Sequence, residues 1–139
     1  MLNIGIRAHD LGKMTVENLS EKIGEYGFSH IQLALKKSLI NLNDDSGRLS
    51  PGMGNYIRDC FYSKKINISV LGCYINPVHP VPAEREKSLT RFAEHLIFAR
   101  SFGCSVVGTE TGSPLPDSSF TDEIYKEKTF QDFIASLKR

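Results

Sequence analysis

Short apolar segments alternate four times with longer amphipathic segments along the 139 residues, and this alternation limits the fold more than any other feature. The predicted strands cover residues 2–7, 30–35, 66–75 and 105–111, and the predicted helices cover residues 15–26, 50–64, 83–102 and 122–138. Successive strands begin about 30–40 residues apart, which is the length of a βα unit in a parallel sheet. The pattern predicts one α/β domain over residues 1–139, with a (βα)4 parallel sheet.

Capping residues support the helix boundaries. Thr15 and Ser50 precede helical patterns and carry the hydroxyl groups favoured at helix N-caps, and Pro51 suits the first helical position. Gly27 and Gly103 follow helical patterns, where a glycine accommodates the left-handed conformation that often ends a helix. We therefore expect the first three helices to be closed by these five residues.

The apolar pattern also predicts which side chains are buried. The buried face of the helix at residues 83–102 is predicted to consist of Leu89, Phe92, Ala93, Leu96, Ile97 and Ala99. His95 stands among charged residues of that helix and is predicted to be exposed. The polar segment 36–48 is predicted to be an irregular loop.

Composition excludes several classes of protein. Lys and Arg together number 17 and Asp and Glu number 16, so the net charge of +1 gives no reason to expect a nucleic-acid or membrane partner. The N-terminus has no basic segment followed by a long apolar one. Three widely spaced cysteines, Cys60, Cys73 and Cys104, form neither a disulfide framework nor a zinc motif, and we expect them to be small buried side chains. These features suit the reducing cytoplasm.

Four βα units are half of a (βα)8 barrel, which needs about 250 residues. A doubly wound sheet is the alternative, and it usually carries a glycine-rich phosphate-binding loop after its first strand. Residues 7–13 contain no such loop, and the sequence has no P-loop motif. A half-barrel is therefore the favoured fold.

Four segments carry a resemblance to a known family: residues 7–10, 49–53, 70–80 and 106–113. Together they resemble the sugar phosphate isomerase/epimerase family of the xylose isomerase-like TIM barrel superfamily, which also includes endonuclease IV. The resemblance implies the N-terminal half of a TIM barrel and metal-assisted aldose–ketose isomerisation or epimerisation. It also implies a divalent metal, Mn, Zn or Mg, held by carboxylates and histidine from the fifth to the eighth strands. These strands lie beyond the four units, so we predict no metal ligand, no tightly bound metal and no activity for this chain alone.

Glu110 and His79 are the predicted catalytic residues. Glu110 ends the fourth predicted strand, and chemistry in barrels is placed at the carboxyl ends of strands. His79 lies in a proline-rich loop after the third strand, where it can bind substrate or carry a proton. The alternatives are a solvated strand-end carboxylate and an exposed loop histidine.

Arg7, His9, Gln32 and Asn76 are the predicted substrate-binding residues. Arg7 ends the first strand and His9 follows it, and an arginine there can bind a phosphate in a bidentate manner or pair with Asp10. Gln32 can hydrogen-bond a sugar if it faces inward, or be a satisfied core amide. Asn76 begins the loop after the third strand.

A half-barrel would leave two strand edges and one sheet face open. Ile4, Ile6, Leu33, Val70 and Val106 are predicted to be apolar surface left in contact with water. We therefore expect a homodimer or higher homo-oligomer.

Two function classes remain open at this point: a sugar phosphate isomerase or epimerase that uses a sugar or sugar-phosphate substrate, and a non-catalytic half-barrel fragment or assembly subunit. A nuclease like endonuclease IV is a weaker alternative, because it would need more histidines and a basic groove.

Overall fold

A computed structural model describes residues 4–138 and has nine helices and strands in this part of the chain. They are β1 (Gly5–Arg7), α1 (Val16–Glu25), β2 (His30–Leu33), α2 (Leu35–Ser38), α3 (Pro51–Ser63), β3 (Asn67–Gly72), α4 (Pro82–Phe98), β4 (Val107–Gly108) and α5 (Glu127–Leu137). Short 3₁₀ turns cover Ala8–Leu11, Ala99–Phe102 and Asp122–Tyr125. The four strands are parallel and lie in the order β1-β2-β3-β4. The predicted (βα)4 sheet is confirmed.

The predicted caps close the helices. The Thr15 hydroxyl accepts a hydrogen bond from the Asn18 amide at 3.3 Å, and the Ser50 hydroxyl accepts one from the Met53 amide at 3.2 Å. Gly103 has φ of +71° and ends the 3₁₀ turn that continues α4. A left-handed backbone at this position costs a glycine less than any other residue, because glycine has no Cβ.

The two faces of the sheet differ in chemistry. Ile31, Leu33, Ile68 and Leu71 pack with helix side chains such as Leu19, Phe61 and Phe102 in one apolar core. The other face is formed by Gly5, Arg7, His30, Gln32, Ser69 and Val70, which are exposed or half-buried. The prediction that Leu33 would be exposed to water is wrong: it is 0% exposed, because alternate residues of a strand face opposite sides and Leu33 faces the helices. The same prediction is wrong in part for Ile6, which is half-buried and packs against the core. The open face is therefore largely polar.

The prediction for the buried face of α4 is wrong in part. Leu96 and Ile97 are 54% and 72% exposed, and Ala93 is exposed as well. His95, which was predicted to be exposed, is 0% exposed. Ala99 is buried, as predicted. The helix turns Arg91 and His95 inward because these residues meet Asp44 from the loop after α2. A local pattern of apolar residues does not reveal this polar partner.

Several elements differ from their predicted extents. Residues 2 and 3 of the first predicted strand lie outside the described residues. β4 contains two residues because its ladder with β3 pairs only Val107 and Gly108. The predicted loop 36–48 begins within the single helical turn of α2, and Cys60 is half-buried whereas Cys73 and Cys104 are buried. Within residues 4–138 no helix is long and apolar enough to cross a membrane.

Candidate functional site

Tyr74, which follows β3, connects the carboxyl ends of the first three strands. Its hydroxyl accepts a hydrogen bond from Gln32 Nε2 on β2 at 2.7 Å. Its ring meets the His9 ring edge-on, with the centroids 6.2 Å apart, and Lys37 Nζ lies 4.0 Å from the centroid of the Tyr74 ring. Because parallel strands end at one edge of a sheet, these side chains come from three βα units to one place. We call His9, Gln32, Lys37 and Tyr74 the Tyr74 cluster.

His9 is the member of the cluster whose pKa is shifted by its surroundings. Its side chain is 15% exposed, and its Nδ1 atom is buried without a hydrogen-bond partner among the described residues. Burial lowers the pKa of His9, and the positive charges of Arg7 and Lys37 lower it further against an opposing effect of Asp10. The ring is therefore mostly neutral at pH 7 and can accept or donate a hydrogen bond.

Arg7 lies beside this cluster on the open face. Its Nε atom pairs with Asp10 Oδ2 at 3.0 Å, and both side chains are largely exposed. An exposed ion pair of this kind contributes little to stability. Its guanidinium group keeps further N–H donors for an anionic ligand.

A polar depression of about 560 Å³ lies between the loops after β3 and β4. Its lining includes Tyr74, Asn76, His79, Ser88 and Glu110. The structure thus brings three predicted site residues, Asn76, His79 and Glu110, into one depression, which Tyr74 joins to Gln32 and His9. Arg7 lies apart from this depression, along the open face of the sheet with Gln32.

Asn76 ties the two loops together. Its Nδ2 atom donates to the Ser113 carbonyl at 2.7 Å and to Ser118 Oγ at 3.2 Å. Its Oδ1 atom accepts from the Ser113 amide at 3.1 Å and from the Val78 amide at 3.2 Å. The amide is thus fully engaged within the protein, and a direct contact between Asn76 and substrate stays a prediction.

His79 is held by its own loop. Its Nδ1 atom accepts a hydrogen bond from the Val81 amide at 3.2 Å, so the neutral ring carries its hydrogen on Nε2. Its carbonyl accepts from Arg85 Nε at 2.8 Å. Glu110 is exposed at the rim of the same depression. The pair can offer one hydrogen-bond donor and one carboxylate to a ligand in the depression.

Sequence reasoning missed Tyr74 and Lys37. Tyr74 was assigned to the apolar third strand, although it stands at the same strand-end position as Glu110 does in the fourth. Lys37 belongs to the polar segment 36–48, which is predicted above to be an irregular loop. Their strand-end and loop positions were the available signal, but the approach of Lys37 to the Tyr74 ring depends on the turn of α2.

The side chains of residues 4–138 do not fit the divalent metal that the resemblance implies. No three His, Cys, Asp or Glu side chains in this part of the chain converge as a metal site requires. We therefore derive no chemical step through a metal on this chain.

The fold is that of half a TIM barrel. The chain is similar to the crystallised D-psicose 3-epimerase with D-tagatose from Clostridium cellulolyticum H10, with a TM-score of 0.68 and 16% sequence identity. The match covers 99% of this chain and 46% of that chain, so this chain spans about half of its length. The half-barrel fold that the resemblance implied is therefore confirmed. No protein-family model matches the sequence, and no curated protein shows significant similarity to it.

Proposed function

We propose that this chain is the N-terminal half of a sugar isomerase or epimerase barrel and binds one side of a sugar or sugar phosphate at the carboxyl edge of its sheet. The Tyr74 cluster is the observation that supports this proposal most directly. A phenol, an amide and a neutral imidazole at one strand edge offer both donors and acceptors to hydroxyl groups. The fold similarity to an epimerase crystallised with D-tagatose supports the same class of ligand.

The charges beside the cluster favour a phosphorylated sugar. Lys37 lies over the Tyr74 ring, and Arg7 extends over the neighbouring open face. Both positive charges are near enough to His9 to lower its pKa. Phosphate oxygens are strong acceptors for ammonium and guanidinium donors, and bidentate binding by arginine adds geometric specificity.

Isomerisation and epimerisation move a proton at a carbon next to a carbonyl group, and His79 and Glu110 are our candidates for this step. His79 Nε2 would donate a hydrogen bond to the carbonyl oxygen, while the Glu110 carboxylate would accept a proton. The other wall of such a site would come from the second half of the barrel. We therefore expect the chain alone to bind a sugar without converting it.

Calorimetric titration with D-tagatose and D-tagatose 6-phosphate tests the proposal. We expect the phosphorylated sugar to bind more tightly, and Gln32→Leu to weaken binding about tenfold, as the loss of one hydrogen bond of about 1.4 kcal/mol would. Gln131→Leu on α5 is the matched control, because Gln131 is exposed and donates a hydrogen bond to Glu127 on the surface of that helix. A wild-type chain that binds neither sugar would contradict the proposal.

We further propose that a second copy of the chain covers its open edges, which also suits the alternative function of an assembly subunit. The chain of 15.5 kDa exposes 8287 Å². A folded monomer of this mass exposes about 7200 Å². The excess of about 1000 Å² is comparable with the area of about 800 Å² that each partner contributes to a standard interface. Large apolar side chains such as Ile97 and Val106 contribute to this excess.

Two parallel edges make such a pairing possible. A twofold axis along the axis of the barrel would set β4 of each copy beside β1 of its partner with all strands parallel.

All three cysteines are free, which fits the cytoplasmic location that we propose.

A further inference from the structure

Three charged or titratable side chains meet inside the protein, away from the depression and the open face. Asp44 comes from the loop after α2, and Arg91 and His95 come from α4. The side chains of Asp44 and His95 are 0% exposed, and that of Arg91 is 17% exposed. Burial of charged groups is costly unless they are paired. We therefore ask what Asp44, Arg91 and His95 contribute to the protein from this buried position.

Arg91 binds two segments of chain at once. Its Nη2 atom donates to Asp44 Oδ2 at 2.7 Å and its Nε atom to the Asp44 carbonyl at 3.2 Å. Its Nη1 atom donates to the Tyr74 carbonyl at 3.1 Å. The guanidinium group is planar and rigid, so these three bonds fix the position of Tyr74 relative to Asp44.

The hydrogen bond from Arg91 to the Tyr74 carbonyl takes the place of a hydrogen bond between strands, because the ladder between β2 and β3 ends before Tyr74. The amides of Leu71 and Cys73 donate to carbonyls on the β4 side. Alternate residues of a strand bond to opposite neighbours, so the Tyr74 carbonyl belongs to the β2 side. There the ladder ends where Leu33 pairs with Leu71, and the chain turns into α2. Arg91 provides the missing donor.

Attachment of the loop itself does not depend on Arg91 alone. The Glu94 carboxylate accepts from the amides of Gly47 at 2.6 Å and Leu49 at 2.9 Å, so α4 holds this loop at a second point. Among these loop contacts, the bond that reaches the candidate site is the one from Arg91 to Tyr74.

We propose that Arg91 is a positioning residue, which acts from the interior by fixing the backbone of Tyr74 and thereby the Tyr74 cluster. A shift of Tyr74 would alter its hydrogen bond with Gln32, its contact with Lys37 and its contact with His9 together. The effect on a sugar ligand rests on the proposed function, whereas the effect on the Tyr74 ring does not.

The ring signals of Tyr74 in a chain labelled with ring-¹³C tyrosine test the inference. The chain has five tyrosines, and Tyr74→Phe identifies the signal of Tyr74. We expect Arg91→Lys and Arg91→Met to shift this signal selectively and to leave the other four in place. Arg100→Met, at an exposed arginine shortly after α4, is the control and should leave all five unchanged. An unchanged Tyr74 signal in folded Arg91→Met protein overturns the proposal.

A second variant covers the case in which Arg91→Met fails to fold. Arg91→Met combined with Asp44→Leu removes both charges, and replacement of a buried ion pair by apolar groups is often tolerated. The double variant should show the same selective shift of the Tyr74 signal, and a wild-type signal would refute the role of Arg91.

Sugar binding gives an independent readout. We expect Arg91→Lys to weaken binding of D-tagatose 6-phosphate about tenfold, equal to about 1.4 kcal/mol. If the wild-type chain binds no sugar, the proposed function fails while the ring signals still decide the role of Arg91. If the sugar binds equally well to both proteins, Arg91 does not position the binding site.

Discussion

Asp44 is the residue whose removal should disturb the structure most selectively. Asp44→Asn keeps the shape of the side chain but leaves the buried Arg91 guanidinium without a charged partner. Breaking one side of a buried ion pair typically costs about 3–5 kcal/mol. Urea unfolding should show a loss of this order, whereas Asp45→Asn, at a half-exposed neighbour that pairs with Lys36, should change the free energy of unfolding by about 0.5 kcal/mol or less. If Asp44→Asn and Asp45→Asn lose the same free energy of unfolding, the buried ion pair contributes no more to stability than the exposed one.

His95 should make stability fall in mildly alkaline solution. Burial alone lowers the pKa of His95, but its interactions with Asp44, Cys73 and the Arg91 carbonyl raise it to about 9. The folded protein therefore holds a proton that the unfolded chain releases above about pH 6.5. The stabilisation is complete below that pH and disappears as the pH rises through about 9.

We expect the free energy of unfolding to fall by up to about 3 kcal/mol over this range. Unfolding of His95→Gln should lack this slope between pH 6.5 and 9. The slope would contradict the raised pKa if it were the same in both proteins. The converse holds for Asp44: burial raises its pKa, but His95 and Arg91 lower it to about 2, so its contribution is lost as the pH falls from about 4 towards that value.

Local contacts could be predicted from the sequence, whereas contacts between residues far apart in the chain could not. The caps Thr15 and Ser50 were predictable because each acts within three residues of itself. His95 was assigned to the surface because its partner Asp44 lies 51 positions earlier and leaves no trace in the helical pattern. The apolar pattern placed Gln32 within the second strand, Glu110 at the end of the fourth and His79 in the loop after the third. Only the folded chain shows that Tyr74 bonds Gln32 and lines the same depression as His79 and Glu110.

At the scale of the element, α3 should depend on its cap. Ser50→Ala removes the acceptor for the Met53 amide at the first turn of this helix, which packs Ile57 and Phe61 in the core. We expect a loss of about 1 kcal/mol in thermal or urea unfolding. Ser46→Ala, in the exposed loop before the helix, is the control and should have an effect within about 0.5 kcal/mol. If the Ser50 cap does not stabilise the helix, Ser50→Ala and Ser46→Ala will lower the free energy of unfolding by the same small amount.

Gly112, in the loop after β4, and Gly47, in the loop after α2, form a matched pair of glycines. Gly112 and Gly47 have nearly equal φ angles, +81° and +79°, but a Cβ at Gly112 would lie 2.2 Å from Asn76 Oδ1, whereas one at Gly47 would meet nothing within 4 Å. Both substitutions by alanine incur the left-handed backbone cost of about 1–2 kcal/mol.

Gly112→Ala should lose about 1–3 kcal/mol more than Gly47→Ala, because Asn76 must move and abandon partly buried hydrogen bonds. Urea unfolding of both variants measures the difference. Equal losses would mean that Asn76 is not held as firmly as its four bonds indicate.

At the scale of the whole molecule, the two open edges of the sheet lead us to expect a homodimer. Sedimentation should show a dimer at micromolar concentration, because the exposed excess matches a standard interface. Ile97→Lys would place a charge among the exposed apolar side chains and should shift the equilibrium towards monomer, whereas Tyr62→Lys, exposed on α3, should not. A well-folded wild-type monomer would refute the dimer.

The sequence predicted an apolar open face, and the structure shows a polar one. Leu33 belongs to the core, while Arg7, Gln32 and Ser69 face outward. Alternation predicts which residues of one strand share a face, but it does not show which of the two faces the helices cover. The polar face suits a solvated ligand site, and the apolar excess is found instead near β4 and α4.

The four hydrogen bonds of Asn76 have a consequence for how such a chain can vary over time. They fasten the loop after β3 to the loop after β4, and Gly112 leaves no room between them. A change of length in one loop would therefore have to preserve the fastening in the other. The two loops that frame the depression would therefore have to change together. Substitutions that alter ligand specificity are expected at the rim of the depression rather than at Asn76 and Gly112, where the two loops are joined.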